Sequence, residues 1–226
     1  MTMGRVSFVV RQRVTHVRHR ERFETFMTDQ ARALKAAIPE LEGIRRYNFE
    51  KEELFFYTFY DFTPGAAWDG GLRERTARIR DAWREFGPDM REYTAVPYEE
   101  IWRRAATGVP VDGAARPITI ERLVIAPEKE REWNEWAERE ILPDQLERLP
   151  LASITRYRAL AGYPQYYIQC HEYLDAQRMK ESIAKAEKPG TTYGTASQSK
   201  FWAGWARFMP YVDDLTRWII NPVVPA

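Results

Sequence analysis

The chain has 226 residues, 44% of them hydrophobic and 30% charged, and a formal net charge of +1. It can fill a core and cover it, and it carries no basic excess that would argue for nucleic acid. A single cysteine, Cys170, excludes an intrachain disulfide framework and fits a reducing, cytoplasmic compartment, and no apolar run approaches the roughly 20 residues of a membrane span.

Val6 to Val14 alternates and is β-branched, which predicts a strand, and Phe23 to Ala37 carries Phe23, Phe26, Met27, Ala31 and Leu34 at helical spacing. Pro39 and Gly43 punctuate the chain before two strands, Ile44 to Phe49 and Leu54 to Phe62, joined by the charged turn Glu50 to Glu53. Pro64-Gly65 opens a second helical region through Trp68, Leu72, Ile79, Trp83 and Phe86, and a last strand lies near Tyr93 to Trp102. The Gly/Pro/Ala-rich stretch 105–116 has no periodicity and reads as a linker between a first domain, 1–104, and a second, 117–226. The second half then gives a strand from Ile118 to Ile125, a helix from Lys129 to Glu147, strands from Ser153 to Leu160 and Gln165 to Leu174, a helix from Ala176, and a strand from Leu215 to Ile220. Lys188 to Ser199 is polar and Gly-rich, the composition of a surface loop long enough to act as a lid.

The halves repeat one another. Ile44-Arg-Arg-Tyr47 returns as Ile154-Thr-Arg-Tyr157 and Phe23/Phe26 as Trp133/Trp136, at a shift of 110 residues. Tyr60-Asp-Phe62 matches His171-Glu-Tyr173 at 111, and Trp83/Phe86 matches Trp205/Phe208 at 122. Blocks in one order in both halves predict an internal duplication. Each copy has the order strand, helix, strand, strand, helix, strand, the split βαβ or ferredoxin-like unit. The expected fold class is therefore α+β: two tandem ferredoxin-like repeats whose antiparallel sheets pack into a barrel with helices outside.

This layout resembles the dimeric α+β barrel superfamily, which includes antibiotic-biosynthesis monooxygenases, EthD-like proteins, small polyketide cyclases and haem-binding chlorite dismutases. Glu132-Trp133-Asn-Glu-Trp136-Ala-Glu-Arg-Glu-Ile-Leu-Pro143, followed by Ile154-Thr-Arg-Tyr157, is similar to an EthD-type first helix and second strand. Many relatives carry a histidine where this chain has Ile141.

Strand alternation assigns Phe8, Val10 and Val14, then Ile118, Ile120 and Val124, and also Ile168 and Cys170, to the helices. Arg11, Arg13, Thr58, Tyr60, Glu121, Tyr167, Gln169, His171 and Tyr173 are then expected on the opposite face, inside the barrel. Buried charge is costly unless paired, so such a set suggests a small-molecule site. His171 suits a general acid or base near neutrality, with Tyr60 and Arg11 stabilising an oxyanion. Arg13, Thr58, Glu121, Tyr167, Gln169 and Tyr173 are the expected substrate contacts. Each has a plainer reading: His171 as a hydrogen-bonded core histidine, the tyrosines as core aromatics, Arg11 and Arg13 as a bridge to Glu121. His16 and His19 read as surface residues.

Nucleotide loops, HExxH, CxxC and GxSxG are missing, and three histidines with one cysteine offer no metal-ligand spacing. The leading expectation is a cofactor-independent enzyme acting on a hydrophobic aromatic or polyketide-like molecule by acid/base chemistry: an oxygenation, lyase, cyclisation or isomerisation step. The resemblance also admits a haem-dependent, chlorite-dismutase-like enzyme with His171 or Tyr173 as axial ligand. A third reading is a non-catalytic binder of an aromatic ligand. Homo-oligomerisation through helix faces is compatible with each, and neither nucleic acid nor membrane is an expected partner.

Overall fold

The computed structural model describes residues 4–49, 53–66, 68–110, 115–161, 166–187 and 203–222. The expected loop at Lys188 to Ser199 lies outside the described residues. The chain divides into two compact units, one of Met1–Glu100 with Ala159–Ala161 and Ile220–Ala226, the other of Ile101–Arg158 with Gly162–Ile219. The fold class is α+β, with antiparallel strands and helices. No helix among the described residues is long and apolar enough to cross a membrane.

In unit 1 the order is β1 (Val6–Val14), α1 (Arg20–Ala37), β2 (Leu41–Phe49), β3 (Phe55–Phe62), α2 (Gly70–Phe86) and β4, which runs Met90–Ala105. β1 pairs antiparallel with β3 on one side and β4 on the other, and β3 pairs with β2. The sheet order β4-β1-β3-β2 is that of a split βαβ unit. α1 buries Phe23, Met27, Gln30 and Leu34, one face of a 3.6-residue period. α2 begins later than Pro64-Gly65 suggests: Gly65 sits in a turn at φ +87°, a conformation that disfavours a side chain, and the helix is capped by Asp69, whose carboxylate accepts from Leu72 N at 2.9 Å.

The core of unit 1 joins Phe8, Val10 and Val14 of β1 to Phe56, Tyr60 and Phe62 of β3 and to Phe23, Met27, Ile79, Trp83 and Phe86 of the helices. Tyr60 and Thr58 therefore face the helices, contrary to the sequence expectation. The register explains it. Phe8 lies opposite Tyr60 and Val10 opposite Thr58, and cross-strand partners share a face. Arg11 and Arg13 do point to the other face, so Arg11 and Tyr60 stand on opposite sides of one sheet and cannot line one pocket.

Unit 2 contains β5 (Ile118–Ile125), α3 (Pro127–Trp136), a π-helical turn (Ala137–Ile141), α4 (Leu142–Arg148), β6 (Leu151–Ala159), β7 (Tyr166–Tyr173), α5 (Ala176–Glu187), a short helical stretch at 203–208, and β8 (Val212–Pro222). Its sheet order is β8-β5-β7-β6, the arrangement of unit 1 again. One irregularity recurs as well. The register slips between Leu41 and Gly43 in β2 and between Leu151 and Ser153 in β6, at matched positions. Leu123, Ile125 and Tyr167 pack with Trp133, Trp136, Ile141 and Phe208, so the odd-numbered residues of β5 and β7 face the helices. Glu121, Gln169, His171 and Tyr173 thus lie on the helix side, opposite to the expected one, and Ile118, Ile120, Ile168 and Cys170 on the other. Thr119, not Ile118, takes the place of Phe8, because Thr119 opposes His171 as Phe8 opposes Tyr60. The first strands align at a shift of 111, and a one-residue slip exchanges every face.

Candidate functional site

The helix side of unit 2 carries a polar layer where unit 1 has mostly hydrocarbon. Gln169 on β7 lies opposite Glu121 of β5 and Arg156 of β6, so these three form a row across the sheet. Tyr167 and His171 stand two residues to either side on β7, about 7 Å along the strand from that row. Facing them, α3, the π turn and α4 supply Glu130, Asn134, Glu138 and Gln145. The added residue of the π turn carries the helix from an Asn134 that meets Arg156 to a Gln145 that meets His171. Such turns recur at functional sites.

Arg156 is the centre of the layer. It is 1% exposed; Nη1 donates to Glu138 Oε1 at 3.2 Å and Nη2 to Asn134 Oδ1 at 2.8 Å, and its guanidinium lies 5.4 Å from the Tyr167 ring centre. Burial lowers the guanidinium's proton affinity, partly offset by Glu138 and Tyr167, and burial raises the Glu138 pKa above the ordinary carboxylate value against the pull of Arg156. Tyr167 donates its hydroxyl to Glu130 and accepts from Asn134 Nδ2 at 3.3 Å. Burial first, and the bond to Glu130 second, push the phenol up to about 12. Tyr167 is therefore a fixed proton donor, not a base.

His171 is 4% exposed and engaged at both ring nitrogens. Nδ1 lies 3.3 Å from Thr119 Oγ1, and Nε2 lies 3.0 Å from Gln169 Nε2 and 3.1 Å from Gln145 Oε1. Gln169 also donates to Glu121 Oε2 at 3.3 Å, which fixes its amide nitrogen toward the ring. A nitrogen donor facing Nε2 is satisfied in the tautomer that carries its proton on Nδ1, toward Thr119. The Gln145 contact is favourable with its amide turned so that nitrogen faces the ring, a choice set by the network. Tyr173 packs among Leu142, Leu151, Ile154 and Met179.

Of the expected site residues, the structure brings together Glu121, Tyr167, Gln169 and His171. Thr58 and Tyr60 sit in the core of unit 1, and Arg11 lies on the other face of that sheet, 5.8 Å from the Phe55 ring centre. Arg156, Glu138, Asn134, Glu130 and Gln145 were not expected. The signal for Arg156 was present, since Arg46 and Arg156 occupy matching places in the repeated Ile-x-Arg-Tyr block.

Among the described residues, no group of three or more His, Cys, Asp or Glu is placed to hold a metal. Haem ligation does not fit the arrangement either. His171 is the only histidine of unit 2, and its Nε2 is already engaged by Gln169 and Gln145, while Tyr173 packs among Leu142, Leu151, Ile154 and Met179.

No family model matches the chain, and no curated protein matches it. Solved structures do resemble it. An anthrone oxidase-like protein superposes with a TM-score of 0.68 at 10% identity, over 98% of this chain and 92% of that one. A proposed monooxygenase of Fusobacterium nucleatum gives 0.65 at 9%, over 99% and 94%. A mutant chlorite dismutase of Candidatus Nitrospira defluvii gives 0.55 at 8%, over 99% and 93%. The likeness is one of fold.

Proposed function

We propose that the chain is a cofactor-independent enzyme that removes a proton from a hydrophobic aromatic ketone or phenol in the polar layer of unit 2. The observation that carries this reading is the pair of a fully buried Arg156 and a half-exposed Glu138 of raised pKa. A carboxylate of raised proton affinity suits a general base, and a buried guanidinium beside it suits the enolate or phenolate that forms. Tyr167 and Asn134 donate or accept at the same locus, His171 and Gln145 bound its other end, and Trp133, Trp136 and Phe208, with ring centres 5.2 and 5.3 Å apart, give an aromatic wall. The matched register slips support descent of both units from one ancestor, and the expected barrel remains part of this proposal.

Anthrone is a suitable test substrate. Glu138 would take a proton from its central methylene, leaving an oxyanion opposite Arg156. Dioxygen would then oxidise that carbanion equivalent through a hydroperoxide that loses water, so that anthrone plus dioxygen gives anthraquinone plus water. Anthraquinone absorbance and oxygen uptake should rise above the uncatalysed rate with the wild-type chain and return to it with Glu138→Gln. Equal rates with and without enzyme across a panel of anthrones and phenols would end the proposal.

A further inference from the structure

The aromatic cluster of unit 2 is built from rings that readily lose an electron, while the matching cluster of unit 1 is mostly phenylalanine. Trp133, Trp136 and Trp205 adjoin one another, with ring centres 5.3 Å (Trp133 to Trp136), 5.0 Å (Trp133 to Trp205) and 6.3 Å (Trp136 to Trp205) apart. Tyr167 is buried in the same cluster, and Trp205 lies partly exposed at its edge. In unit 1 the corresponding contacts are Phe23 to Trp83 at 5.8 Å and Phe26 to Trp83 at 5.5 Å. Phe23 also packs on Phe56, which precedes Tyr60 by the interval at which Tyr167 precedes His171. Phenylalanine therefore fills these places in the same architecture, and packing alone does not call for Tyr167, Trp133 and Trp136.

A tyrosine that gives up an electron also gives up its phenolic proton, so a buried one is readily oxidised only where an acceptor stands within hydrogen-bond reach. Tyr167 has one. Its hydroxyl donates to Glu130, and Asn134 Nδ2 donates to the hydroxyl oxygen at 3.3 Å, which aims the phenolic hydrogen at the carboxylate. Glu130 and Asn134 are one turn apart on α3, and Trp133 lies within that turn. Trp133 itself is placed differently. Its Nε1 is buried with no hydrogen-bond partner among the described residues, so an oxidised Trp133 has no group to take its proton and draws an electron from a neighbour instead. In unit 1, Arg20 stands where Glu130 stands in unit 2, and it donates to Glu24 at 3.0 Å.

We propose that Tyr167 is a redox-active residue, oxidised by one electron through the indoles of Trp133, Trp136 and Trp205 while Glu130 takes its proton. The co-reactant is an outer-sphere one-electron oxidant that meets the exposed edge of Trp205. One electron passes from the Tyr167 phenol through the indoles to the oxidant, and the O–H proton moves to the Glu130 carboxylate. The products are a neutral tyrosyl radical, a carboxylic acid and the reduced oxidant. With its pKa pushed up to about 12, first by burial and then by the bond to Glu130, Tyr167 holds its proton until the electron leaves. The Arg156 guanidinium, 5.4 Å from the ring centre, opposes a tyrosyl cation, and proton transfer to Glu130 avoids forming one. This role does not rest on the proton abstraction assigned to Glu138.

Photogenerated tris(bipyridine)ruthenium(III), an outer-sphere one-electron oxidant, is the probe, applied to the full chain and read by freeze-quench electron paramagnetic resonance. A tyrosyl signal should form in the wild type and fall at least threefold in Tyr167→Phe. Trp133→Phe combined with Trp136→Phe, which installs the residues of unit 1, should slow its formation at least tenfold. Glu130→Gln, which keeps the shape and removes the proton acceptor, should lower its yield at least threefold. Nitric oxide is small enough to trap a buried radical, and peptide mapping should then place the modified ring at Tyr167 in the wild type, a reading that does not depend on any variant folding. Modification of other tyrosines alone, an undiminished signal in Tyr167→Phe, an unchanged rate in the tryptophan variant or an unchanged yield in Glu130→Gln would each overturn the proposal. Tyr167 is then a proton donor only.

Discussion

Arg156 and Glu138 form an ion pair of unequal burial: the guanidinium side chain is 1% exposed and the carboxylate 32%, with 3.2 Å between them. The strand places the arginine behind the helix, and the helix leaves the carboxylate half in reach of a ligand. Glu138→Gln keeps the shape and removes the base. It should lower turnover of the true substrate about 10²- to 10⁴-fold, the usual worth of a positioned acid or base. KM should change little. Steady-state kinetics on an active anthrone or phenol checks this, and unchanged kcat would assign Glu138 to structure.

The same carboxylate sets a pH limb. Its pKa is raised by burial, so a base at this position ionises above the ordinary value of 4.5. kcat/KM should rise with pH through that shifted pKa, and the limb should vanish in Glu138→Gln. Stability moves the other way. The folded state holds the proton more tightly than the unfolded one, so stability falls as pH rises from the unfolded pKa toward the folded one. Urea titrations of wild type and Glu138→Gln across that window should converge at its acid end.

Asp61 supplies the opposite sign. It is buried on the face of unit 1 away from the helices, accepts from Ser7 Oγ at 2.6 Å, and pairs with Arg45 Nε at 2.6 Å and Nη2 at 3.1 Å. Its pKa is lowered: burial opposes ionisation, and the charge and hydrogen bonds of Arg45, with Ser7 and Arg5, overcome it. A depressed folded pKa contributes stability that is present above the unfolded value near 4 and is lost as pH falls through the folded one. Asp61→Asn should therefore flatten the acid limb of stability. At neutral pH it should cost about 3 kcal/mol, because it removes the carboxylate charge that Arg45 faces. Urea unfolding at neutral and acid pH measures both.

Strand and helix order was legible because each element carries its own period, and the end positions needed only local chemistry. Facing was not legible. Ile118, Ile120 and Val124 look like a core face, and they are buried, yet so is the face that bears Thr119, Leu123 and Ile125. A strand buried on both sides gives no alternation to read. Alignment by Ile44/Ile154 at 110 then carried the wrong residue of β5 onto Phe8, and only the pairing of Thr119 with His171 restores it. Glu121, Tyr167, Gln169 and His171 share one face because all four exchange sides together. Arg156 is not legible as a site residue because an arginine between Thr155 and Tyr157 in a strand reads as solvated until a helix with Asn134 and Glu138 covers it.

Packing of 203–208 against α3 gives a test of the aromatic wall. A Cβ built on Gly204 would fall 2.2 Å from Trp136 Cζ2, well inside contact distance. The indole is also held by Phe208, 5.2 Å between ring centres, and cannot swing aside freely. Gly204→Ala should destabilise by about 1–3 kcal/mol, the cost of overpacking a filled core. A lowered Tm with an altered near-ultraviolet tryptophan signal is the expected result.

The π turn at Ala137–Ile141 is the strongest test of how the site is aimed. An α-helix turns about 100° per residue; the π turn takes up one extra residue, and a further residue that it did not take up would rotate α4 by about that amount against the sheet. Gln145 would leave His171, and Leu142 and Leu146 would leave the core formed with Ile154 and Tyr173. The Asn134 and Glu138 contacts of Arg156 come from the helix before or at the turn and would be affected less. Inserting one alanine after exposed Arg139 should therefore lower Tm, and it should shift the His171 ring resonances more than the Arg156 side-chain resonances. If both sets move equally, the turn does not separate the two poles of the layer. If neither moves, the helix has absorbed the insertion elsewhere and the π turn has no part in placing Gln145.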